Sequence, residues 1–283
     1  MNYIDDLKER AIKVNSIVCM GIDPVIEKIP IKGGFRQVIE EFYLAILKEM
    51  NTRNTYPAII KPNIAYFEQY GFDGLHALKT IISQYKSSGI PTLLDAKRGD
   101  IGKTSMAYAK STFEFWNSDA VTIAPYMGSD SVGPFIEWCE KGKGVYILCR
   151  TSNRGAVDLQ GLKVDDVPVY MKLAENIIEW YKPGVGAVVG ATYLEELEEI
   201  SRFFVESKKE VPLLIPGVGS QGGSAGEVVE VLKNTKNDIL IHRINSSSEI
   251  NYAYMKSDTS DYAKAAVDAL ETLNKEIGLL ATS

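Results

Sequence analysis

The chain has 283 residues, of which 45% are hydrophobic and 24% charged, so it can bury the large core of a globular protein. Its formal net charge is −6 and it has no block of basic residues, which argues against nucleic acid and anionic membranes as partners. No apolar run approaches the roughly 18 residues of a membrane span, and the charged N-terminal segment lacks a signal-peptide core. We therefore expect a cytoplasmic protein that forms one domain over residues 1–283.

Short β-rich runs recur along the chain, and a segment with helical periodicity follows each of them. The eight runs are Ile17–Asp23, Ala58–Asn63, Pro91–Lys97, Ala120–Pro125, Gly144–Thr151, Val185–Ala191, Pro212–Val218 and Asp238–Ser246. The helical segments are Gly34–Met50, Leu75–Ser88, Ser105–Trp116, Ser131–Lys141, Val169–Tyr181, Leu194–Glu206, Gly226–Asn234 and Asp261–Ile277.

This alternation predicts an α/β fold with a parallel sheet, and eight apolar strands in this length predict a single closed (β/α)8 TIM barrel. A doubly wound open sheet is the alternative. No GxGxxG motif follows the first run, however, which disfavours a dinucleotide-binding interpretation.

Two acids flank a lysine where the third predicted strand ends, in Asp95-Ala96-Lys97-Arg98-Gly99-Asp100. Each desolvated charge costs several kcal/mol unless it is compensated, so these groups must partner one another or a ligand. A structural ion-pair network is one interpretation. Because active sites in this fold lie at the C-terminal ends of the strands, the position also indicates catalysis.

Further polar residues fall at the same predicted rim. Asp23 ends the first run and Lys61 lies near the end of the second, while Ser152 follows the fifth and Gln221 the seventh. Asp23 and Ser152 have an alternative interpretation as turn or helix-cap residues, which Lys61 does not have.

The loop after the seventh run, Pro216–Gly226, is rich in glycine. Glycines allow the backbone to approach a ligand closely, and a helix beginning near Gly226 would direct free amide groups at an anion. Barrels frequently build phosphate sites from the loops after strands seven and eight. The loop therefore predicts a phosphate site, with a merely flexible loop as the alternative.

Taken in order, these segments resemble the orotidine 5′-phosphate decarboxylase family over nearly the whole chain. The DxKxxD pattern alone is shared with a superfamily of sugar-phosphate barrels, whereas Lys-Arg-Gly-Asp-Ile and Lys-Pro-Asn resemble the longer variant of the decarboxylase. The segments that carry the resemblance are Gly21–Pro24, Ile60–Asn63 with Phe67–Glu68, Asp95–Ile101 with Thr104, Thr151–Asn153, Pro216–Gly219 with Gln221–Gly223, and Asn245–Ser247.

The resemblance implies that the C6 carboxylate of orotidine 5′-phosphate is replaced by a proton, which yields UMP and CO2 without metal or cofactor. Lys97 would stabilise the developing C6 carbanion and deliver the proton, and Asp95 would face the departing carboxylate. Lys61 and Asp100 would complete an alternating array in which each lysine keeps its neighbouring acid ionised.

The resemblance also implies a set of binding residues and a partner chain. Asp23 and Lys61 would hold ribose hydroxyls, Ser152 the pyrimidine ring and Gln221 the phosphate. The phosphate would also meet the glycine-rich loop, including Pro216 and Gly219. The segment with Asp100, Ile101 and Thr104 would reach the neighbouring subunit's site, which implies a homodimer with shared active sites.

The chain departs from the family pattern after the Asn-Ser-Ser stretch of the eighth strand. The family usually has a phosphate-binding arginine and then a glycine, whereas this chain has Ser248 and Glu249. Arginine binds phosphate through a charge-assisted fork. Arg243, earlier on the same strand, and Arg154 are candidate replacements, and a position on the outer side of the barrel is the alternative for Arg243.

Two other functions stay open at this stage. A magnesium-dependent decarboxylase or aldolase for a sugar phosphate would need extra carboxylates, for which Glu68 is the nearest candidate. Lys61 argues against that function, because it puts an ammonium where the metal would sit. The other is a catalytically impaired nucleotide-binding protein that kept the charged array.

Overall fold

The computed structural model describes residues 2–219, 222–257 and 259–279. Eight parallel strands, numbered here β1 to β8 in chain order, form the sheet expected from the sequence. They are β1 Val18–Ile22, β2 Ile59–Pro62, β3 Leu93–Arg98, β4 Ala120–Ile123, β5 Gly144–Arg150, β6 Val185–Val189, β7 Leu213–Ile215 and β8 Arg243–Ser246.

The sheet closes into a barrel. The strands pair in parallel in chain order from β3 to β8, and β8 pairs with β1 and β1 with β2. Single bridges from Ile60 to Thr92 and from Asn63 to Asp95 join β2 to β3. The predicted (β/α)8 barrel is therefore confirmed, and the open sheet kept as its alternative is wrong.

Each of the eight predicted helical segments overlaps a helix, and among the described residues no helix is long and apolar enough to cross a membrane. A two-stranded hairpin, Lys163–Val164 with Val167–Pro168, was not predicted. The helices are Tyr3–Val14, Phe35–Arg53, Ala65–Glu68, Gly71–Ser87, Gly102–Lys110, Ser129–Ile136, Val169–Glu179, Leu194–Glu206, Ala225–Asn234, Ser248–Asn251 and Tyr262–Ile277.

All eight strands are shorter than their predicted runs, and the differences are largest for β8 and β7. The predicted eighth run begins instead with a 3-10 turn over Ile239–Ile241, because Asp238 Oδ1 accepts a hydrogen bond from Leu240 N at 3.1 Å. The seventh run leaves the sheet after Ile215, and Gly217 then adopts a φ of 101° that favours glycine.

The barrel interior is layered, because residues two apart on a strand point to the same face. A buried lower layer includes Ile59, Leu93 and Ala120, and the helix Tyr3–Val14 packs Tyr3 and Leu7 against it. Two residues further along the same strands lie Lys61, Asp95 and Thr122. Polar groups therefore occupy the C-terminal end of the interior, above the apolar lower layer.

Candidate active site

A cavity of about 650 Å³ opens at the C-terminal ends of the strands. Its floor carries Lys61, Asp95, Lys97 and Thr122, in line with the predicted position of the charged segment. Leu148, Val188, Leu214 and Asn245 line it from β5 to β8. The remaining lining residues come from the segments that follow the strands: Asp23, Val25, Lys28, Tyr66, Thr151, Ser152, Asn153, Gln160, Pro216, Gly217, Val218, Ser247, Ser248 and Tyr252.

Asp95 is the centre of the charged array. Its Oδ2 accepts a hydrogen bond from Lys61 Nζ at 2.8 Å, and its Oδ1 accepts one from Lys97 Nζ at 2.6 Å. Thr122 Oγ1 also donates to Oδ1, at 2.8 Å. Both carboxylate oxygens are thus engaged, and three of the four side chains predicted to form the array meet in one place, whereas Asp100 is not among them.

The electrostatics of the array favour the charged forms. Burial alone would lower the pKa of Lys61, but Asp95 and Asp23 outweigh it and the net pKa lies above the usual value. Burial alone would raise the pKa of Asp95, yet Lys61 and Lys97 hold it well below the usual range. The side chain of Lys97 is 49% exposed, whereas those of Lys61 and Asp95 are nearly buried. The more exposed ammonium, that of Lys97, is therefore the one that faces the cavity.

Thr122 was missed in the sequence, although it holds the array together. Lys97 adopts a left-handed φ of 45°, which is costly for a residue other than glycine. The backbone N–H groups of Ala96 and Lys97 both donate to Thr122 Oγ1 at 3.1 Å, where the pairing of β3 with β4 shifts register. One hydroxyl therefore fixes both the irregular backbone under Lys97 and the carboxylate of Asp95.

Asp23 and Ser152 line the cavity at opposite parts of the rim. Asp23 Oδ1 is buried and has no hydrogen-bond partner in residues 2–219, 222–257 and 259–279. Ser152 packs against Gly190, where a Cβ atom would lie 2.8 Å from Ser152 Cα. These positions agree with the interpretation of both residues as site residues, which stays a prediction.

The glycine-rich loop lies at the rim, but its helix differs from expectation. Pro216 lines the cavity, whereas Gly219 packs against Glu249, and Gln221 lies outside the described residues. The helix Ala225–Asn234 does not present free amides: Glu276 Oε1 accepts hydrogen bonds from the first two amides, at 3.0 and 3.3 Å. The expectation of free amides at this helix end is therefore wrong, because a carboxylate accepts their hydrogen bonds, whereas the phosphate site predicted for the loop itself stays a prediction.

Arg243 is not at the phosphate end of the barrel, so its proposed substrate contact needs correction. Its guanidinium donates to the main-chain oxygens of Leu7, Leu240 and His242 at 2.7–3.0 Å, at the N-terminal end. It points inward, so the alternative of an outer position is also wrong. Arg154 is exposed, begins a 3-10 turn and does not line the cavity.

The segment with Asp100, Ile101 and Thr104 does not line the cavity of its own chain. Asp100 Oδ1 accepts a hydrogen bond from Ile101 N at 2.8 Å, and Ile101 is half exposed. Gly99 lies against Met127, which is also exposed. Because these residues lie away from the cavity of their own chain, they are free to contribute to the site of a neighbouring subunit. That contribution stays a prediction.

The carboxylate considered for a metal site is engaged elsewhere. Glu68 Oε1 pairs with Arg98 at 3.1 Å and does not line the cavity. In the part of the chain that the structure describes, no group of three or more histidine, cysteine or acidic side chains has the arrangement of a metal site. The magnesium-dependent alternative thus has no ligand set in these residues.

Comparisons with known proteins agree with the barrel fold and point to one family. Residues 17–253 match the sequence model of the orotidine 5′-phosphate decarboxylase / HUMPS family. A Christiangramia forsetii protein named orotidine 5′-phosphate decarboxylase is 41% identical over 277 residues, which cover 96% of each chain. A putative orotidine-monophosphate-decarboxylase structure from Toxoplasma gondii aligns with a TM-score of 0.80 and 30% identity, covering 99% of both chains. The structure of Leishmania donovani UMP synthase aligns with a TM-score of 0.77 and 35% identity. The alignment covers 98% of this chain and 57% of that longer chain.

Proposed function

Because the chain belongs to the orotidine 5′-phosphate decarboxylase / HUMPS family, we propose that it converts orotidine 5′-phosphate into UMP and CO2. The observation that carries the proposal is the hydrogen-bonded array Lys61–Asp95–Lys97 at the floor of the cavity. The array puts one exposed ammonium beside a carboxylate that stays ionised, and this is the arrangement that the chemistry requires.

The reaction breaks the bond between C6 and the carboxylate and leaves the electron pair on C6. Lys97 is the residue that we assign to this atom, because its ammonium attracts the developing charge and then donates a proton to C6. Solvent reprotonates the amine after the product forms. Thr122 fixes the irregular backbone of Lys97, and this supports an ammonium that is already in place when the substrate binds.

Asp95 would face the departing carboxylate. Its charge makes the bound substrate less favourable, and this penalty falls as the carboxylate becomes neutral CO2. Lys61 compensates Asp95 from the buried side, which leaves Lys97 as the donor on the cavity side. The unpartnered oxygen of Asp23 supports its role as an acceptor for a ribose hydroxyl.

We also propose that two copies of the chain share their active sites, each lending Asp100, Ile101 and Thr104 to the other. Support comes from the absence of these residues from the chain's own cavity lining and from an exposed apolar surface beside them. That surface includes Ile101, Tyr126 and Met127, and an exposed apolar patch of this kind is typical of an interaction site.

A direct assay tests the reaction. Loss of orotidine 5′-phosphate absorbance, formation of UMP by chromatography and release of CO2 should occur together, with the protein held in excess EDTA. Binding of UMP without any turnover would instead support the catalytically impaired nucleotide-binding protein.

Subunit mixing tests the shared site. Asp100→Ala and Lys97→Ala subunits, each inactive alone, should regain activity on mixing, because one site of the mixed dimer carries neither change. Failure to complement despite demonstrated subunit exchange would show that Asp100 acts within its own chain.

A further inference from the structure

The lysines that line the cavity differ in their partners. Lys28, Lys61 and Lys97 are its cationic lining residues. Lys61 and Lys97 both donate to Asp95. Lys28 is exposed, and no carboxylate in residues 2–219, 222–257 and 259–279 lies within ion-pair distance of its Nζ. An anionic group that enters the cavity therefore meets one lysine whose charge has no acidic partner.

Lys28 is held beside the loop that follows β8. It ends the 3-10 turn Ile26–Lys28, and its main-chain oxygen accepts a hydrogen bond from the Tyr254 hydroxyl at 2.7 Å. Its Nζ lies 5.4 Å from the centroid of the Tyr252 ring. A cation–π contact of this kind positions the ammonium but uses none of its three N–H donors. Lys28 is thus oriented and still able to donate.

The ring of Tyr252 lies near the ammonium of Lys28, and its hydroxyl is bonded to the loop after β1. Its hydroxyl donates to Asp23 O at 2.9 Å and accepts a hydrogen bond from Val25 N at 2.8 Å. These bonds tie the loop after β1 to the segment that begins at Ser248. Lys28 and Ser248 therefore line one cavity from two loops that are bonded to each other.

The other candidate cations for a phosphate are unsuitable. Arg243 is at the opposite end of the barrel, and Lys256 is paired with Glu249. The first amides of the helix Ala225–Asn234 are occupied by Glu276. Arg154 is exposed but does not line the cavity.

We infer that Lys28 binds the phosphate of the nucleotide and supplies the positive charge that Ser248 lacks. The inference rests on the proposed function, since it assigns the phosphate of that substrate to a residue. A phosphate dianion between Lys28 and the backbone and hydroxyl groups of the β8 loop would receive charge-assisted hydrogen bonds. The charged array around Asp95 would then interact with the pyrimidine ring and its carboxylate.

The test compares Lys28→Ala with a matched exposed lysine, Lys32→Ala, and with the conservative Lys28→Arg. Lys28→Ala should lower kcat/KM for orotidine 5′-phosphate about 10- to 100-fold, because one hydrogen bond to a charged group is lost. Turnover of orotidine, which has no phosphate, should be unchanged. By calorimetry, UMP should bind more weakly and uridine equally well. Lys28→Arg should stay within a few-fold of wild type.

Several outcomes would overturn the inference. They are an effect of Lys28→Ala no larger than that of Lys32→Ala, equal losses with orotidine and its phosphate, or a phosphate-dependent loss in Arg154→Ala instead. Thermal unfolding of each variant shows that it is folded. If wild-type protein does not turn over orotidine 5′-phosphate, the proposed function fails, while the comparison of UMP with uridine still tests Lys28.

A double-mutant cycle tests whether Lys28 replaces the missing arginine. In the Ser248→Arg background an arginine can hold the phosphate, so Lys28→Ala should cost much less than it does alone. Equal costs in both backgrounds would show that Lys28 and position 248 do not serve the same group, and would overturn the replacement.

Discussion

The two ends of the barrel interior both bury charge, but they compensate it in different ways. At the N-terminal end, Arg243 is 1% exposed and is surrounded by main-chain oxygens, with Tyr3 and Tyr146 nearby. At the C-terminal end, Asp95 is bonded by two lysines and a threonine beneath an open cavity. Main-chain oxygens stabilise the buried charge at the N-terminal end, whereas side chains of opposite charge stabilise it at the C-terminal end.

The difference shows which feature marks an active site. Burial lowers the pKa of Arg243, and no acidic side chain in the described part of the chain pairs with it. Its bonds go to carbonyl groups that cannot change protonation state, so it can fix a helix but cannot respond to a substrate. The array at Asp95 contains groups that exchange protons and face a cavity of about 650 Å³. Alternating charge beside a cavity, and not buried charge alone, indicates catalysis.

The largest effect should come from Lys97. Lys97→Ala removes the proposed proton donor and the positive charge proposed to lie at C6, so we expect kcat to fall by about 10³-fold or more. The side chain is half exposed, so thermal unfolding should change little. Lys110→Ala, an exposed lysine on the next helix, is the control. A variant that retains a tenth of wild-type kcat would contradict the role of Lys97.

The opposite end should show the reverse pattern. Arg243→Met leaves the carbonyl oxygens of Leu7, Leu240 and His242 without their donor, and unfolding stability should fall by about 3 kcal/mol. The KM for orotidine 5′-phosphate should not change. Urea unfolding and steady-state kinetics measure the two effects, with Arg202→Ala, an exposed arginine on the helix Leu194–Glu206, as the control. A raised KM at unchanged stability would contradict this position and would indicate that Arg243 contacts the phosphate.

Thr122 should behave as a positioning residue of the array. Thr122→Val removes the donor to Asp95 and the acceptor for two backbone N–H groups, so kcat/KM should fall by about 10²-fold. Thr122→Ser keeps the hydroxyl and should restore most activity.

The control for Thr122 is Thr112→Val, which changes a buried threonine bonded to Tyr108 O away from the cavity. If Thr122→Val lost stability as Thr112→Val does and kept its kcat/KM, Thr122 would be only structural. The pH profile of kcat should also shift in Thr122→Val, because Asp95 loses one donor, and a merely structural role would leave it unchanged.

The sequence predicts the barrel well because each βα unit contains an apolar run for its strand and a segment of helical periodicity. Buried parallel strands are continuous apolar runs, and each predicted run overlaps a strand of the barrel. Strand ends were less predictable where a side chain competes with the sheet. Asp238 bonds the backbone locally and delays β8, an interaction that apolar periodicity does not encode.

Site residues were predictable where charge interrupts an apolar run, as at Lys61, Asp95 and Lys97. Thr122 gave no such signal, since threonine is common in strands, although its spacing of two from Ala120 puts it on the inward face. Arg243 shows the opposite error. It lies on the inward face like Asn245, but one layer lower, and alternation alone does not indicate the layer.

The smallest effect concerns the pH dependence of stability at the N-terminal end. His242 is fully buried, and its Nδ1 accepts a hydrogen bond from Leu213 N at 3.0 Å. Burial lowers the pKa of His242 to about 3. The unfolded chain, with a histidine pKa of about 6.5, binds a proton more readily than the folded protein does. His242 therefore contributes stability above pH 6.5 that is lost as the pH falls from about 6.5 towards 3.

Between pH 7.5 and 5, this linkage should remove on the order of 2 kcal/mol of unfolding free energy. Asparagine keeps an acceptor near Nδ1 and has no titrating group, so His242→Asn should flatten the pH dependence in urea unfolding at fixed protein concentration. His76→Asn, at the exposed second histidine of the chain, should keep the wild-type slope. An unchanged slope in His242→Asn would mean that the buried imidazole accepts its proton without opening the fold. Side chains at both ends of the barrel interior could then change their protonation state while the protein stays folded.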